Sequence, residues 1–353
     1  MRTSGKFLFR LVLSCAISVA FIMFSLRHTD LSAVAKAMVA VDPLPILGYF
    51  GILLLVHVIK TVRWGLLLRP IGHVTFRRLN SASAVGFMLM VVLPLRLGEL
   101  ARPLLVSRPS LGDDSRLPRA AALASCLVER IVDFLAVGAL GIISLYALSP
   151  AGDTAKLVER GAILLTAGFV ALCVALGFAF FTRDKTVALV RRLLRPISSN
   201  LAERAAHLFD RFIGGLQLGP PLTMLWFLVL TAAYWALHVW GFGMVAHAFG
   251  LPLTPLMICT VIACQVVGFT VPAGPGSVGT SQFFTQVGVS IFVPLSLTVA
   301  EQAASAAAYA NMIWLLQFGQ QVATGLVFLA AGHVSLRGLF DRWEGDPLAA
   351  GRD

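Results

Sequence analysis

Apolar runs long enough to cross a bilayer recur along this chain and leave it few ways to fold. A helix rises 1.5 Å per residue, so about 20 apolar residues cover the hydrocarbon layer. Six runs qualify: Phe7 to Leu26, Pro45 to Leu68, Pro118 to Leu148, Gly161 to Phe181, Pro221 to Phe249 and Leu297 to Ala330. Two further apolar regions, 79–106 and 253–293, are broken near the middle. The first break reads Leu93-Pro94-Leu95-Arg96-Leu97-Gly98-Glu99 and the second Val271-Pro272-Ala273-Gly274-Pro275-Gly276-Ser277-Val278-Gly279. Proline removes a backbone donor and glycine loosens a helix, so neither region suits a continuous crossing in lipid. The expected fold is an all-α integral membrane protein, residues 1–353 forming one membrane domain. It has about six transmembrane helices plus two re-entrant helical hairpins, each entering and leaving on the same side.

Composition excludes a water-soluble globular domain: 58% of residues are hydrophobic and 13% charged, with mean hydropathy +0.85. The net charge of +11 does not point to nucleic acid, because the basic residues cluster between apolar runs rather than along one face. Anionic lipid headgroups are the expected counter-charge. Cys15, Cys126, Cys173, Cys259 and Cys264 all lie in apolar stretches with no metal-ligand spacing, and read as small buried side chains. No metal and no cofactor is expected. Ala33-Val34-Ala35 has the look of a cleavage site but lies too far beyond the first apolar run, so that run is expected to be a retained anchor.

Basic residues set the orientation. Arg2, Lys6 and Arg10 precede the first span; Arg69, Arg77, Arg78, Arg108, Arg116 and Arg119 flank the first broken region. Arg183, Lys185, Arg191, Arg192, Arg195, Arg204 and Arg211 precede the fifth span, and Arg337, Arg342 and Arg352 end the chain. The other side holds Arg27, Lys36, Lys156 and Arg160. Both termini are therefore expected in the cytoplasm. The first broken region then enters from inside and the second from outside, which makes 45–148 and 221–330 an inverted repeat. His57-Val58 before Pro94 is echoed by His238-Val239 before Pro272, and both breaks read P-x-x-x-G. Between the halves, 183–217 alternates apolar and basic positions, as a cytoplasmic amphipathic helix does.

Nine ionisable residues fall at or near membrane depth: Lys60, Arg63, Arg96, Glu99, Arg102, Glu129, Arg130, Asp133 and Glu301. Each costs about 2.5–3.5 kcal/mol at a helix centre, so such residues normally face a cavity or one another. Arg96, Glu99 and Arg102 surround the first break, where freed backbone groups and guanidinium groups suit a phosphate; alternatively Glu99 pins the loop by pairing with Arg96 or Arg102. Glu129 and Asp133 share a helix face, with Arg130 one step round. They carry a proton or a cationic headgroup, or else pair permanently with Arg96, Arg102 or Lys60. Arg63 and Trp64 are expected to snorkel to the cytoplasmic interface, leaving Lys60 a turn deeper. His57 and His238 read as core histidines. Glu301 is a coupling candidate, or a residue near the outer interface.

Lys60-x-x-Arg63-Trp64, Pro94-x-Arg96-x-Gly98-Glu99-x-x-Arg102, Glu129-Arg130-x-x-Asp133 and Pro272-x-x-Pro275-Gly276-x-x-Gly279 resemble, in order and spacing, the lysylphosphatidylglycerol synthase transmembrane family of flippase-like proteins. The resemblance implies a membrane domain that moves lipids between the leaflets of a bacterial inner membrane. In the two-domain synthases a soluble aminoacyltransferase domain follows, whereas this chain ends at Asp353, so no synthesis of the lysyl lipid and no enzymatic activity is expected. Relatives often carry an acid shortly after the second Pro-Gly loop, where this chain has Gln282. The expected function is a lipid flippase or scramblase for a phosphate-bearing lipid. Its expected binding residues are Lys60, Arg96, Glu99, Arg102, Glu129, Arg130 and Asp133, with Pro94, Gly98, Pro272, Pro275, Gly276 and Gly279 shaping the loops. No Walker-type loop is present, so movement is proton-coupled or downhill. Two alternatives stand beside it: a membrane-embedded transferase using Glu99, Glu129 or Asp133 as acid and base, and an accessory subunit for enzymes of lipid or hopanoid biosynthesis. Membrane lipids are the expected partners.

Overall fold

The computed structural model describes residues 2–26, 30–93, 98–107, 117–150, 152–196, 198–214, 219–271, 273–293 and 299–332. Pro94, Arg96 and Pro272 lie outside them. Helices follow one another throughout: α1 (Arg2–Leu26), α2 (Leu31–Ala40), α3 (Pro43–Leu68), α4 (Phe76–Val92), α5 (Ala101–Val106), α6 (Arg119–Leu148), α7 (Asp153–Phe181), α8 (Arg183–Leu194), α9 (Ser199–Gly214), α10 (Pro221–Ala248), α11 (Pro255–Thr270), α12 (Thr280–Ser290) and α13 (Val299–Ala330). There is no strand among the described residues. Stretches in α3, α6, α7, α10 and α13 are long and apolar enough to cross a membrane, and α1 carries a shorter apolar stretch, Val12–Ser25. The chain is a multi-pass α-helical membrane protein.

Local chemistry explains where several helices begin. Asp42 accepts a hydrogen bond from the Leu44 N–H at 3.0 Å and Pro43 occupies a position whose donor would be unpaired anyway, so α3 starts there. Thr254 and Pro255 do the same for α11. Asp30 caps α2, a helix not foreseen from the sequence, whose Val34 packs against Ala304, Ala307 and Ala308 of α13. Its ten residues are too short to stand out by length alone. The stretch expected as one amphipathic helix over 183–217 is instead two helices, α8 and α9, with Pro196 between them; 215–218 lie outside the described residues.

Both broken regions fold back on themselves. With 17 and 16 residues, α4 and α11 reach about 25 Å, and α5 and α12 are shorter still. A Cβ on Gly98 would collide with the backbone at Leu89 and Met90, while Gly86 lies against Arg102. The sequence order is thus reversed across the pair, as in an antiparallel hairpin. In the second region Gly268 lies against Thr280 and Phe284, and Gly288 against Val261 and Cys264. There Gly279 has φ 86° and a Cβ on it would stand 2.5 Å from the Ser18 carbonyl oxygen, so no larger residue fits where α1 crosses the turn. Gly276, at φ 68°, turns the chain at Pro275–Ser277 and offers its carbonyl to Trp314 Nε1 at 2.9 Å.

The first hairpin packs on α13, through α4, and the second on α6, through α11; α3 packs against α10. The main core, including Tyr49, Phe242, Val245, Ile258, Tyr309 and Ile313, joins α3, α10, α11 and α13. A second, including Trp64, Leu68, Leu79, Val85 and Leu105, joins the first hairpin to α3. Cys259 and Cys264 are buried, Cys126 and Cys173 half-buried. Cys15 departs from expectation: it is exposed, on a helix held mainly along its Ser14, Ser18 and Ser25 face.

Candidate functional site: a buried chain of ion pairs beside two unpaired cations

Arg63 lies five residues, or about 8 Å, from the Leu68 end of α3, and its side chain turns inward. It is 0% exposed. Its guanidinium grips Asp133 with both terminal nitrogens, at 2.6 and 2.8 Å, and reaches Glu129 at 3.0 Å and the Thr231 hydroxyl at 3.2 Å. Glu129 uses its other oxygen to accept from Arg102 of α5 at 2.9 Å. The result is a continuous chain, Asp133–Arg63–Glu129–Arg102, tying α3, α5, α6 and α10 together. The Arg102 guanidinium lies 4.4 Å over the Trp64 ring and 4.3 Å over that of Phe87. Trp64, also 0% exposed, donates to Ser125 at 3.0 Å.

The interfacial snorkelling expected of Arg63 and Trp64 is therefore overturned. That expectation treats α3 as a lone helix in lipid, where a long side chain reaches water; here three neighbouring helices supply the partners first. A signal was present in the sequence, because Lys60 and Arg63 are three residues apart and share a face. Turning Lys60 inward turns Arg63 inward too.

Glu129 and Asp133 do share a face, and that face meets Arg63. Arg102 pairs with Glu129 rather than with Glu99. Arg96, the other proposed partner, lies outside the described residues. Glu99 is half-buried and has a partner. Among the described residues, Arg102 Nε and Nη2 and the Arg63 Nε are buried without an acceptor.

Lys60 and Arg130 differ from these. Each is half-buried, and among the described residues neither has a carboxylate within ion-pair distance. Lys60 Nζ lies 4.3 Å over Phe87 and 5.6 Å over Tyr234, while Arg130 donates to the Met90 sulfur at 3.1 Å. His57 shares a 2.9 Å hydrogen bond with Asn80 and His238 one of 3.0 Å with the Tyr234 carbonyl, as satisfied core histidines do. Glu301 stands exposed on the first turn of α13, on an element outside the ion-pair chain. Gln282, where relatives often have an acid, accepts from the Gly279 N–H at 2.8 Å and so caps α12.

Elsewhere, α8 and α9 are joined by Arg183–Asp210 at 2.6 Å and Arg191–Glu203 at 3.0 Å, and α9 packs on α6 and α7 through Ile213. The Arg183 hydrogen bond holds the Asp210 carboxyl below its ordinary pKa. No group of three His, Cys, Asp or Glu side chains among the described residues is arranged to hold a metal ion.

No curated protein and no solved structure matches the chain. The family model described as the lysylphosphatidylglycerol synthase TM region matches residues 11–336, from α1 to beyond α13. With almost the whole helical bundle inside that match, the chain belongs to the lysylphosphatidylglycerol synthase TM-region family, membrane proteins whose function concerns lipids.

Proposed function

We propose that this protein moves a phosphate-bearing lipid between leaflets of a bacterial inner membrane, and that Lys60 and Arg130 form the seat for the phosphate. One observation carries the reading: two cations sit inside the helix bundle with no carboxylate of the described residues within ion-pair distance, next to an ion-pair chain whose carboxylates are bonded to arginine. A buried charge without a partner is expensive, so the missing counter-charge is assigned to the ligand. Arg102, with two nitrogens unpaired among the described residues, adds to the positive lining. Asp133, Glu129 and Arg63 fix it in place.

The hairpins support a transport path. Exchange of partners between the halves, α4 on α13 and α11 on α6, is the pattern expected when two inverted repeats interlock around a pseudo-two-fold axis. The Pro275–Ser277 turn also touches α4, bringing the second break against the first hairpin. Re-entrance from opposite faces, with both termini cytoplasmic, then lets the headgroup pass through the bundle while acyl chains stay in lipid. The transferase alternative is less favoured, because two of its three candidate acid and base groups, Glu129 and Asp133, are bonded to arginine, which leaves it Glu99.

The test is leaflet exchange of fluorescent phosphatidylglycerol in reconstituted vesicles, read by dithionite quenching. A charge-assisted hydrogen bond contributes about 1.5–3 kcal/mol, so the Lys60→Gln/Arg130→Gln protein should lose at least about tenfold in rate. It should remain monodisperse in detergent. Unchanged exchange removes the two cations from the mechanism; a covalently altered lipid in the same vesicles restores the transferase.

A further inference from the structure

Away from the ion-pair chain, α8 and α9 form a layer of their own. α9 buries Ala202, Ala206 and Ile213, the last beside Ala124 of α6 and Ala179 of α7. Ala124 is five residues past the start of α6 and Ala179 two before the end of α7, so both lie within about 8 Å of a helix end. Each of these helices is long and apolar enough to span a membrane, which puts α9 at the level where the hydrocarbon stops. α8 packs on α9 and has no buried residue of its own.

The cations of α8 divide between two sides. Arg183 and Arg191 turn to α9, where they pair with Asp210 and Glu203. Lys185 and Arg192 are exposed, and among the described residues neither has a carboxylate within ion-pair distance. Positions 185, 189, 192 and 193 recur at helical spacing, so these two cations share one face with Leu189 and Leu193. Those leucines are 53% and 65% exposed. Bulk water would leave them bare, while a helix of 12 residues, about 18 Å long and this charged, does not cross the hydrocarbon. At the end of a span, the surface that suits both kinds of side chain is a headgroup layer, phosphates outside and acyl chains beneath.

We infer that the outer face of α8 docks on the anionic headgroup layer of the leaflet where α7 ends. Leu189 and Leu193 enter the acyl boundary, and Lys185 and Arg192 hold lipid phosphates. The two salt bridges to α9 fix the opposite side of α8, so the docking face is presented as a unit with the helices that α9 packs on. Anionic phospholipid is thereby gathered beside α6, the helix that carries Glu129, Arg130 and Asp133. Each Lys or Arg near an anionic surface raises the docked population about fivefold, and two of them about thirtyfold. This contact is independent of lipid movement through the bundle.

The test uses the full chain with its five cysteines replaced by alanine, carrying either Leu189→Cys on the docking face or His207→Cys at an exposed position of α9. Modification by an uncharged polyethylene-glycol maleimide is timed in nanodiscs of phosphatidylcholine alone and of phosphatidylcholine mixed with phosphatidylglycerol. Leu189→Cys should react at least about tenfold more slowly in the anionic discs, and adding Lys185→Gln/Arg192→Gln should remove the difference, while His207→Cys reacts alike in both. Equal rates for Leu189→Cys in the two discs, a difference that survives the double glutamine variant, or the same slowing at His207→Cys overturns the docking. Protection that is present in detergent and rises with protein concentration places a second copy of the chain on this face, and overturns it as well.

Discussion

Replacing Arg63 with Met removes the single cation bonded to Asp133 among the described residues, while Glu129 keeps Arg102. Four hydrogen bonds disappear, two of them from the fork on Asp133, whose carboxylate is left without an ion-pair partner among the described residues. Breaking a buried pair this way costs about 3–5 kcal/mol, a shift of more than a hundredfold in the folded population. The Arg63→Met/Asp133→Leu protein removes both charges and fills the space with apolar atoms, which restores most of the loss. The cycle through both single variants should therefore give a coupling of about 2–3 kcal/mol. Arg63→Lys keeps the charge but cannot form the planar fork, and should fall between. Tryptophan fluorescence during unfolding in mixed dodecyl maltoside and SDS micelles measures these differences. A cost below about 1 kcal/mol for Arg63→Met, or coupling near zero, would show that the side chain reaches the interface and that the ion-pair chain does not form.

Glycine replacements should split by position. Gly98→Ala drives a methyl into the Leu89–Met90 backbone and should destabilise by about 1–3 kcal/mol, whereas Gly51→Ala, with open space beside it in α3, should stabilise by about 0.5–1 kcal/mol; the same micelle titration distinguishes the signs. Gln282→Leu deletes the acceptor that caps α12 and should lower stability by about 1 kcal/mol, while Gln282→Glu, which keeps that acceptor, should not. At the Arg183–Asp210 pair, Asp210 has its carboxyl pKa lowered by Arg183, so its contribution is present above the unfolded carboxylate range and is lost as pH falls through the folded value. The groups are largely exposed, so Asp210→Asn should cost only a few tenths of a kcal/mol at neutral pH; the gap from the natural protein in thermal melts should close in acid.

Hydrophobic length and proline and glycine placement are properties of the chain itself, and they suffice for the spans α3, α6, α7, α10 and α13 and for the two interruptions, because lipid offers the backbone no partner outside a helix. Asp42 with Pro43 and Thr254 with Pro255 were likewise readable, since capping is a contact between near neighbours. The same is true of the face shared by Glu129 and Asp133. Tertiary structure alone decided what that face meets. The fork from Arg63 to Asp133 joins positions 70 apart, and Thr231 is 168 residues from Arg63, so no local pattern specifies either contact. Assigning Arg63 to water and Lys60 to the interior treated one helix as if it were alone. Packing also decided that Arg102 bonds Glu129, that α1 lies across the second turn through Ser18 and Gly274 at 2.9 Å, and that α4 rests on α13 and α11 on α6. A charge seeks its nearest counter-charge in space, and separation along the chain says little about which one that is.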